Sequence, residues 1–235
     1  MQVQAGSRLE PQLKLESSLL PVEPFHLALK FLNIGTCAQT YAWTKLPSNG
    51  CTFIAMDADT KLVFSWLTGK RSTANTYTFM RDVYARTAWG SCPQITTDGW
   101  GPYVPAMNAT FRDSVDYAQL VKIYGSLPAM REGYAPSRYV ESISKVVTGN
   151  PDPQFVSTSY IERQNLTIRM MSRRFTRLTN AFSKKLSHLK AAIALHFAYY
   201  NLCRVHSSLR VTPAMQAGLA EHIWTLQELL SPSQK

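Results

Sequence analysis

From residue 51 onward, hydrophobic and polar positions fall into clear segments. Cys51-Thr-Phe-Ile-Ala-Met-Asp57 and Leu62-Val-Phe-Ser-Trp-Leu-Thr68 are rich in strand formers, and Ala58-Asp-Thr-Lys61 between them suits a hairpin turn. From Thr73 to Trp89 the period changes. Tyr77, Met80, Val83, Tyr84 and Ala88 recur at helical spacing, and Pro93-Gln-Ile-Thr-Thr97 before Asp98-Gly99 reads as a short strand entering a turn. A short helix over Tyr103 to Phe111 and a strand near Ser114 to Ala118 are expected next. A loop-rich insertion from about Gly125 to Gln154, with four prolines, follows. From Ser159 a long helix is predicted, with Ile161, Leu166, Ile168, Met171 and Leu178 as its apolar positions. Leu186 to His206 reads as an apolar, aromatic helix, and Thr212-Pro213 as an N-cap with proline at the first helical position. Residues 1–50 show no sustained period and are read as a poorly defined segment. The expected fold class is α/β, a mixed sheet with flanking helices and a C-terminal helical extension.

Charge changes this picture. The net charge is +10, and the 58 residues from Arg163 to Ala220 hold ten Lys or Arg and no Asp or Glu, so the excess lies in one quarter of the chain. A single-sign field of that kind attracts polyanions, which makes DNA the first partner to consider, an anionic membrane surface the second, and a solvated basic helix face the plain alternative. The four cysteines (Cys37, Cys51, Cys92, Cys203) have no paired spacing, which argues against a zinc module or a disulfide framework and for reduced thiols in a cytoplasm. The most apolar run, Ala191 to Cys203, is too short to span a bilayer and contains His196, so no membrane partner is expected.

Two carboxylates draw notice. Asp98 follows a predicted strand, and at the carboxyl end of a sheet it would stand where α/β sites commonly form. Glu162 opens a predicted helix, with Asn165 and Arg169 three and seven residues on along one face. Carboxylates converging from distant parts of a chain are what phosphoryl transfer by two metal ions requires. The plain alternatives are a capping box at Ser159-x-x-Glu162 and an ordinary Asp-Gly turn.

Longer stretches add a resemblance. Ile95-Thr-Thr-Asp-Gly-Trp-Gly-Pro-Tyr103, Asp116-Tyr-Ala-Gln-Leu-Val-Lys-Ile-Tyr124, Gly149-Asn-Pro-Asp-Pro153 and above all Ser157 to Lys185 resemble the catalytic region of DDE-type bacterial insertion-sequence transposases, of the insertion sequence 1 family. Met56 to Leu62, Tyr199 to His206 and Thr212 to Met215 match it too, so the resemblance covers about residues 51–230, with 231–235 as a tail. It implies a ribonuclease H-like fold and Mg²⁺ (or Mn²⁺) held by an Asp, Asp, Glu triad, with two ions if the triad is complete. It further implies cleavage and rejoining of DNA at element ends and target, a possible homo-oligomer, and a bacterial, nucleoid-associated location. By position, Asp98 becomes the second aspartate, Glu162 the glutamate and Arg169 the basic residue that follows it by seven. Arg163, Asn165, Arg173, Arg174, Arg177, Lys184 and Lys185 then join Arg169 as DNA-binding residues that neutralise phosphates without reading sequence. Arg204 and His206 read better as part of a packing motif, His206 as a satisfied structural histidine.

The pattern breaks at the first aspartate, which the resemblance puts on a central strand upstream of the hairpin. From Pro24 to Met56 there is no Asp or Glu. Two accounts stand. Asp57 supplies the third carboxylate as catalytic and metal-binding residue, or residues 1–50 are unrelated sequence joined to an N-terminally truncated transposase whose central strand and triad are incomplete. The second is the expectation, with a catalytically inactive DNA-binding remnant as its consequence.

Overall fold

The computed structural model describes residues 31–37, 50–87, 91–125, 138–175, 181, 183 and 185–231. Among these residues six strands form one mixed sheet: β1 (Phe31–Cys37), β2 (Gly50–Asp57), β3 (Val63–Lys70), β4 (Gln94–Asp98), β5 (Asp116–Gly125) and β6 (Arg138–Thr148), in the order β3-β2-β1-β4-β5-β6. β1 runs antiparallel to β2 and parallel to β4; β4 and β5 are parallel, and β6 closes the far edge antiparallel to β5.

The hairpin forms as the pattern predicted, and its turn chemistry is visible. Asp57 accepts hydrogen bonds from the backbone N–H and the hydroxyl of Thr60 (2.8 and 2.6 Å), while Lys61 takes the left-handed conformation at φ 61°. β2 is buried on both faces, which explains its near-continuous apolar run. Phe53 and Ala55 belong to one core and Ile54 and Met56 to another, as a two-residue period requires.

The first core lies under α1 (Thr73–Arg86) and α2 (Tyr103–Thr110), where Phe79, Met80 and Val83 meet Phe53, Ile95, Tyr103 and Tyr117. The Phe53 and Phe79 rings are 5.5 Å apart. Each such fully buried aromatic contributes about 1.5–3 kcal/mol. The second core lies on the opposite face, under α3 (Ser159–Met171) and α4 (Leu186–Leu202), with Ile161, Ile168, Ile193 and Phe197 against Ile54 and Met56. Asn201 fastens α4 to β3: its Oδ1 accepts from the Val63 N–H (3.1 Å) and its Nδ2 donates to the Val63 carbonyl (2.7 Å). Two short helices, α5 (Pro213–Gln216) and α6 (Leu226–Leu230), follow, with Thr212 and Thr225 as their N-caps. Among the described residues no helix is long and apolar enough to cross a membrane.

Three expectations change. The central strand is present, because residues 31–37 fill the gap between β2 and β4 and supply the ladder partners those strands need. The sheet therefore reaches back into the segment read as poorly defined. The proline-flanked stretch after Gly125 contains an 11-residue strand, β6, where a loop was expected. On α3, Leu166 and Met171 are exposed and the buried stripe is Ile161, Gln164, Asn165 and Ile168, so polar side chains occupy half of the face turned to the sheet. Leu178 lies outside the described residues.

Candidate active-site cleft

β4 ends at Asp98, and the loop after it turns sharply into α2. The Trp100 N–H donates to Asp98 Oδ1 (3.1 Å), and the Gln119 side-chain amide donates to the carbonyls of Asp98 and Trp100 (3.3 and 3.4 Å). A Cβ at Gly99 would come within 3.2 Å of Val121 Cγ2, so this position has little room for a side chain. The Trp100 indole N–H donates to Thr76 Oγ1 (3.2 Å), and the Arg71 guanidinium lies over the Trp100 ring, 4.1 Å from its centroid. The aspartate is thereby held at the carboxyl edge of the sheet by backbone and side-chain bonds from three elements.

Glu162 approaches from the helix across that edge. Its Oε1 accepts from the Thr158 hydroxyl (2.8 Å) and forms an ion pair with Lys122 Nζ on β5. The capping-box alternative is not what forms here: the N-cap is Thr158, without a side-chain cap hydrogen bond. Lys122 stands two residues past Leu120, the register partner of Asp98, so strand alternation puts it on the same face, one step beyond the end of β4. Asp98, Glu162, Lys122, Arg71, Trp100 and Asn165 all line one cleft of about 330 Å³.

Two polar atoms of the cleft residues are buried without a hydrogen-bond partner, Arg71 Nε and Asn165 Oδ1. Asn165, expected as a DNA-binding residue, is a buried part of this wall. Its helical phase explains the burial: with Ile161 and Ile168 it lies on the stripe that packs toward the sheet.

Asp57 does not join the cleft. It pairs with Leu32, and Leu32 pairs with Ile95, three residues before Asp98. Since β2 runs antiparallel to β1, its last residue lies at the opposite end of the sheet from the last residue of β4. Two strand spacings and three residues of rise separate the two backbones by roughly 14 Å. Asp57 is a buried turn residue whose pKa is raised mainly by desolvation, and whose Oδ1 has no partner. The catalytic and metal-binding role foreseen for it is not supported by this placement. The position that does fall level with Asp98 is Gly35, one residue past the Ile34–Thr97 pair. β1, Phe-Leu-Asn-Ile-Gly-Thr-Cys, contains no carboxylate.

Of the basic residues, Arg163, Arg173, Arg174 and Lys185 are exposed, and Arg169 sits half-buried in the last turn of α3. Arg174 Nη1 donates to Ser183 Oγ (2.9 Å). Arg177 and Lys184 lie outside the described residues. His206 is tied to Ser208 (Nδ1 to Oγ, 3.0 Å), and burial, followed by the charges of Lys61, Arg204 and Arg163, lowers its pKa. That environment fits the structural reading.

Lys122, Arg71, Trp100 and Thr158 are among the cleft residues that sequence pattern did not single out. Lys122 and Trp100 lie in the segments Asp116–Tyr124 and Ile95–Tyr103, which carry the resemblance. Only the pairing of β5 with β4 and the crossing of α3 give the lysine its role.

No family model matches the chain, and no curated protein matches it. Two solved assemblies contain chains with structural similarity to it. One is the simian T-cell lymphotropic virus intasome in complex with PP2A regulatory subunit B56 gamma, at 13% identity and a TM-score of 0.44, over 88% of this chain and 57% of that one. The other is the piggyBac transposase synaptic complex with hairpin DNA, at 14% identity and a TM-score of 0.34, over 80% of this chain and 51% of that one. The chain thus spans little more than half the length of each. Likeness of this degree leaves the chemistry of the cleft to its own residues.

Proposed function

We propose that the chain is a DNA-binding protein on the scaffold of a DDE-type insertion-sequence transposase, with a ribonuclease H-like sheet and an incomplete set of catalytic carboxylates. The observation that carries this reading is the pairing of a complete central sheet with an incomplete donor set. β1 stands upstream of the hairpin, where the resemblance expects the first aspartate, and brings none. Asp98 and Glu162, the positions matching the second aspartate and the glutamate, share one cleft.

In an intact enzyme of this type, divalent ions would activate water or a DNA 3′-hydroxyl and offset charge on the scissile phosphate. The residues here do not suit a two-ion centre. Such a centre needs a third carboxylate bridging both ions, and among the described residues no group of three His, Cys, Asp or Glu is placed to hold a metal ion. What the chain's own residues support is binding. Arg163 on α3, Arg173 and Arg174 just after it and Lys185 at the start of α4 are exposed to meet phosphates, and Lys122 and Arg71 bring positive charge into the cleft.

The test uses the full chain and labelled duplexes, both element ends and unrelated sequence, with Mg²⁺ or Mn²⁺. Salt-dependent binding of both duplexes is expected, with no strand cleavage above that of Glu162→Gln. Cleavage by the parent chain that disappears in Glu162→Gln would show a complete centre and overturn the reading, as would failure to bind DNA. Gly35→Asp, which adds a carboxylate level with Asp98, is expected to raise cleavage at least about 10-fold, and the gain should vanish when combined with Glu162→Gln.

A further inference from the structure

β6 is an edge strand of unusual composition. Among the described residues no strand pairs with its outer side, and Tyr139, Val140, Ile143 and Val146 are between 47% and 60% exposed. A long, apolar strand edge with unpaired backbone groups is a template for another strand, and proteins ordinarily blunt such edges with charge. β6 carries charge, but in a particular arrangement. Around Ile143 the sequence reads Val140-Glu-Ser-Ile-Ser-Lys-Val146, symmetric in character except that Glu141 on one side answers Lys145 on the other.

We infer that β6 is a homodimer interface, in which two copies pair antiparallel about a two-fold axis through Ile143 and join their sheets into one. With that centre, Ile143 meets the partner's Ile143, Ser142 the partner's Ser144 and Val140 the partner's Val146. Glu141 meets the partner's Lys145, and by symmetry Lys145 meets the partner's Glu141. A two-fold interface must be self-complementary, and this strand is so in charge, polarity and apolar size. Charges that served only to block pairing would meet like charges across the axis; these meet opposite ones twice. The ladder geometry agrees. β6 pairs with β5 without interruption from Glu141 to Val146, so the central pairs from Glu141 to Lys145 lie on regular strand, while Val140, between the paired Tyr139 and Glu141, is a bulge residue at the margin of the interface. An interface made of one strand pair is small, and the expected dimer is weak, forming at protein concentrations on the order of 100 µM.

The experiment is sedimentation equilibrium of the full chain, with circular dichroism to verify that each variant is folded. The parent is expected to dimerise. Glu141→Lys and Lys145→Glu, each placing two like-charge pairs at the interface, should weaken association at least about 10-fold. The double variant Glu141→Lys/Lys145→Glu restores both opposite-charge pairs and should recover dimerisation to within a few-fold of the parent. A parent that stays monomeric overturns the inference. So do single variants that associate as well as the parent, or a double variant no better than the singles.

Discussion

Lys122 on β5 and Glu162 on α3 form an ion pair within the cleft that Asp98 also lines. The ammonium lies where it offsets the charge of the carboxylate that, by the resemblance, would hold a divalent ion. Lys122 and Thr158 both engage the same oxygen of Glu162, Oε1.

A divalent ion that uses Glu162 therefore competes with the lysine for the same carboxylate. Lys122→Met is expected to raise Mn²⁺ affinity about 3- to 5-fold, no more, because both partners are partly exposed and such pairs are worth at most about 1 kcal/mol. Titration followed by electron paramagnetic resonance measures this directly. Unchanged or lower affinity in the variant would mean that the lysine does not compete with the ion.

Replacing Asp57 should leave the cleft untouched. Burial raises its pKa, so the folded state disfavours the carboxylate, and this contribution to stability diminishes as pH rises from the ordinary value of 3.8 through the raised one. Asp57→Asn keeps an oxygen for Thr60 and removes the charge. Its melting temperature relative to the parent should rise over that pH range and then level, while DNA and Mn²⁺ binding stay unchanged. Loss of Mn²⁺ affinity on this substitution would return Asp57 to the site.

Removing exposed positive charge should weaken DNA binding uniformly across sequences. For Arg163→Gln, Arg173→Gln and Arg174→Gln together, the slope of log affinity against log salt should flatten by about 2–3, the contribution of three phosphate contacts. Fluorescence anisotropy at several salt concentrations gives the slope. An unchanged slope would mean that this face does not meet phosphate.

His196 predicts an acid sensitivity. Burial, reinforced by Arg204, lowers its pKa from 6.5 to about 4, and its Nε2 is buried without a partner. The unfolded chain takes up this proton near pH 6.5 and the folded chain only near pH 4. The contribution is thus fully present above pH 6.5 and declines as pH falls toward 4, by at most about 3 kcal/mol. His206, lowered in the same direction, adds to the trend. Urea unfolding between pH 4 and 7 should give a shallower decline in His196→Leu than in the parent. Equal slopes would remove His196 as the cause.

Much of this protein was determined locally. The hairpin from Cys51 to Thr68, the helices beginning at Thr73, Tyr103 and Ser159, and the N-cap at Thr212 rest on neighbouring residues whose period, turn chemistry and capping are readable in the chain itself. The positions of Asp98 after a strand and of Glu162 in the first turn of a helix are likewise local features. Tertiary structure decided the rest. Phe-Leu-Asn-Ile-Gly-Thr-Cys has a glycine and an asparagine that weaken it as a strand, and it becomes one because β2 and β4 offer it hydrogen bonds on both sides. β6 alternates well enough, but the prolines around it concealed it. The fate of the carboxylates was settled by strand direction. Asp57 and Asp98 both end strands, and an antiparallel neighbour sends one of them to the far end of the sheet, whereas the crossing of α3 brings Glu162, from 64 residues away, to Asp98 and Lys122. Sequence carries the side chains and their local geometry; which of them meet depends on non-local pairing, whose register and direction no single segment encodes.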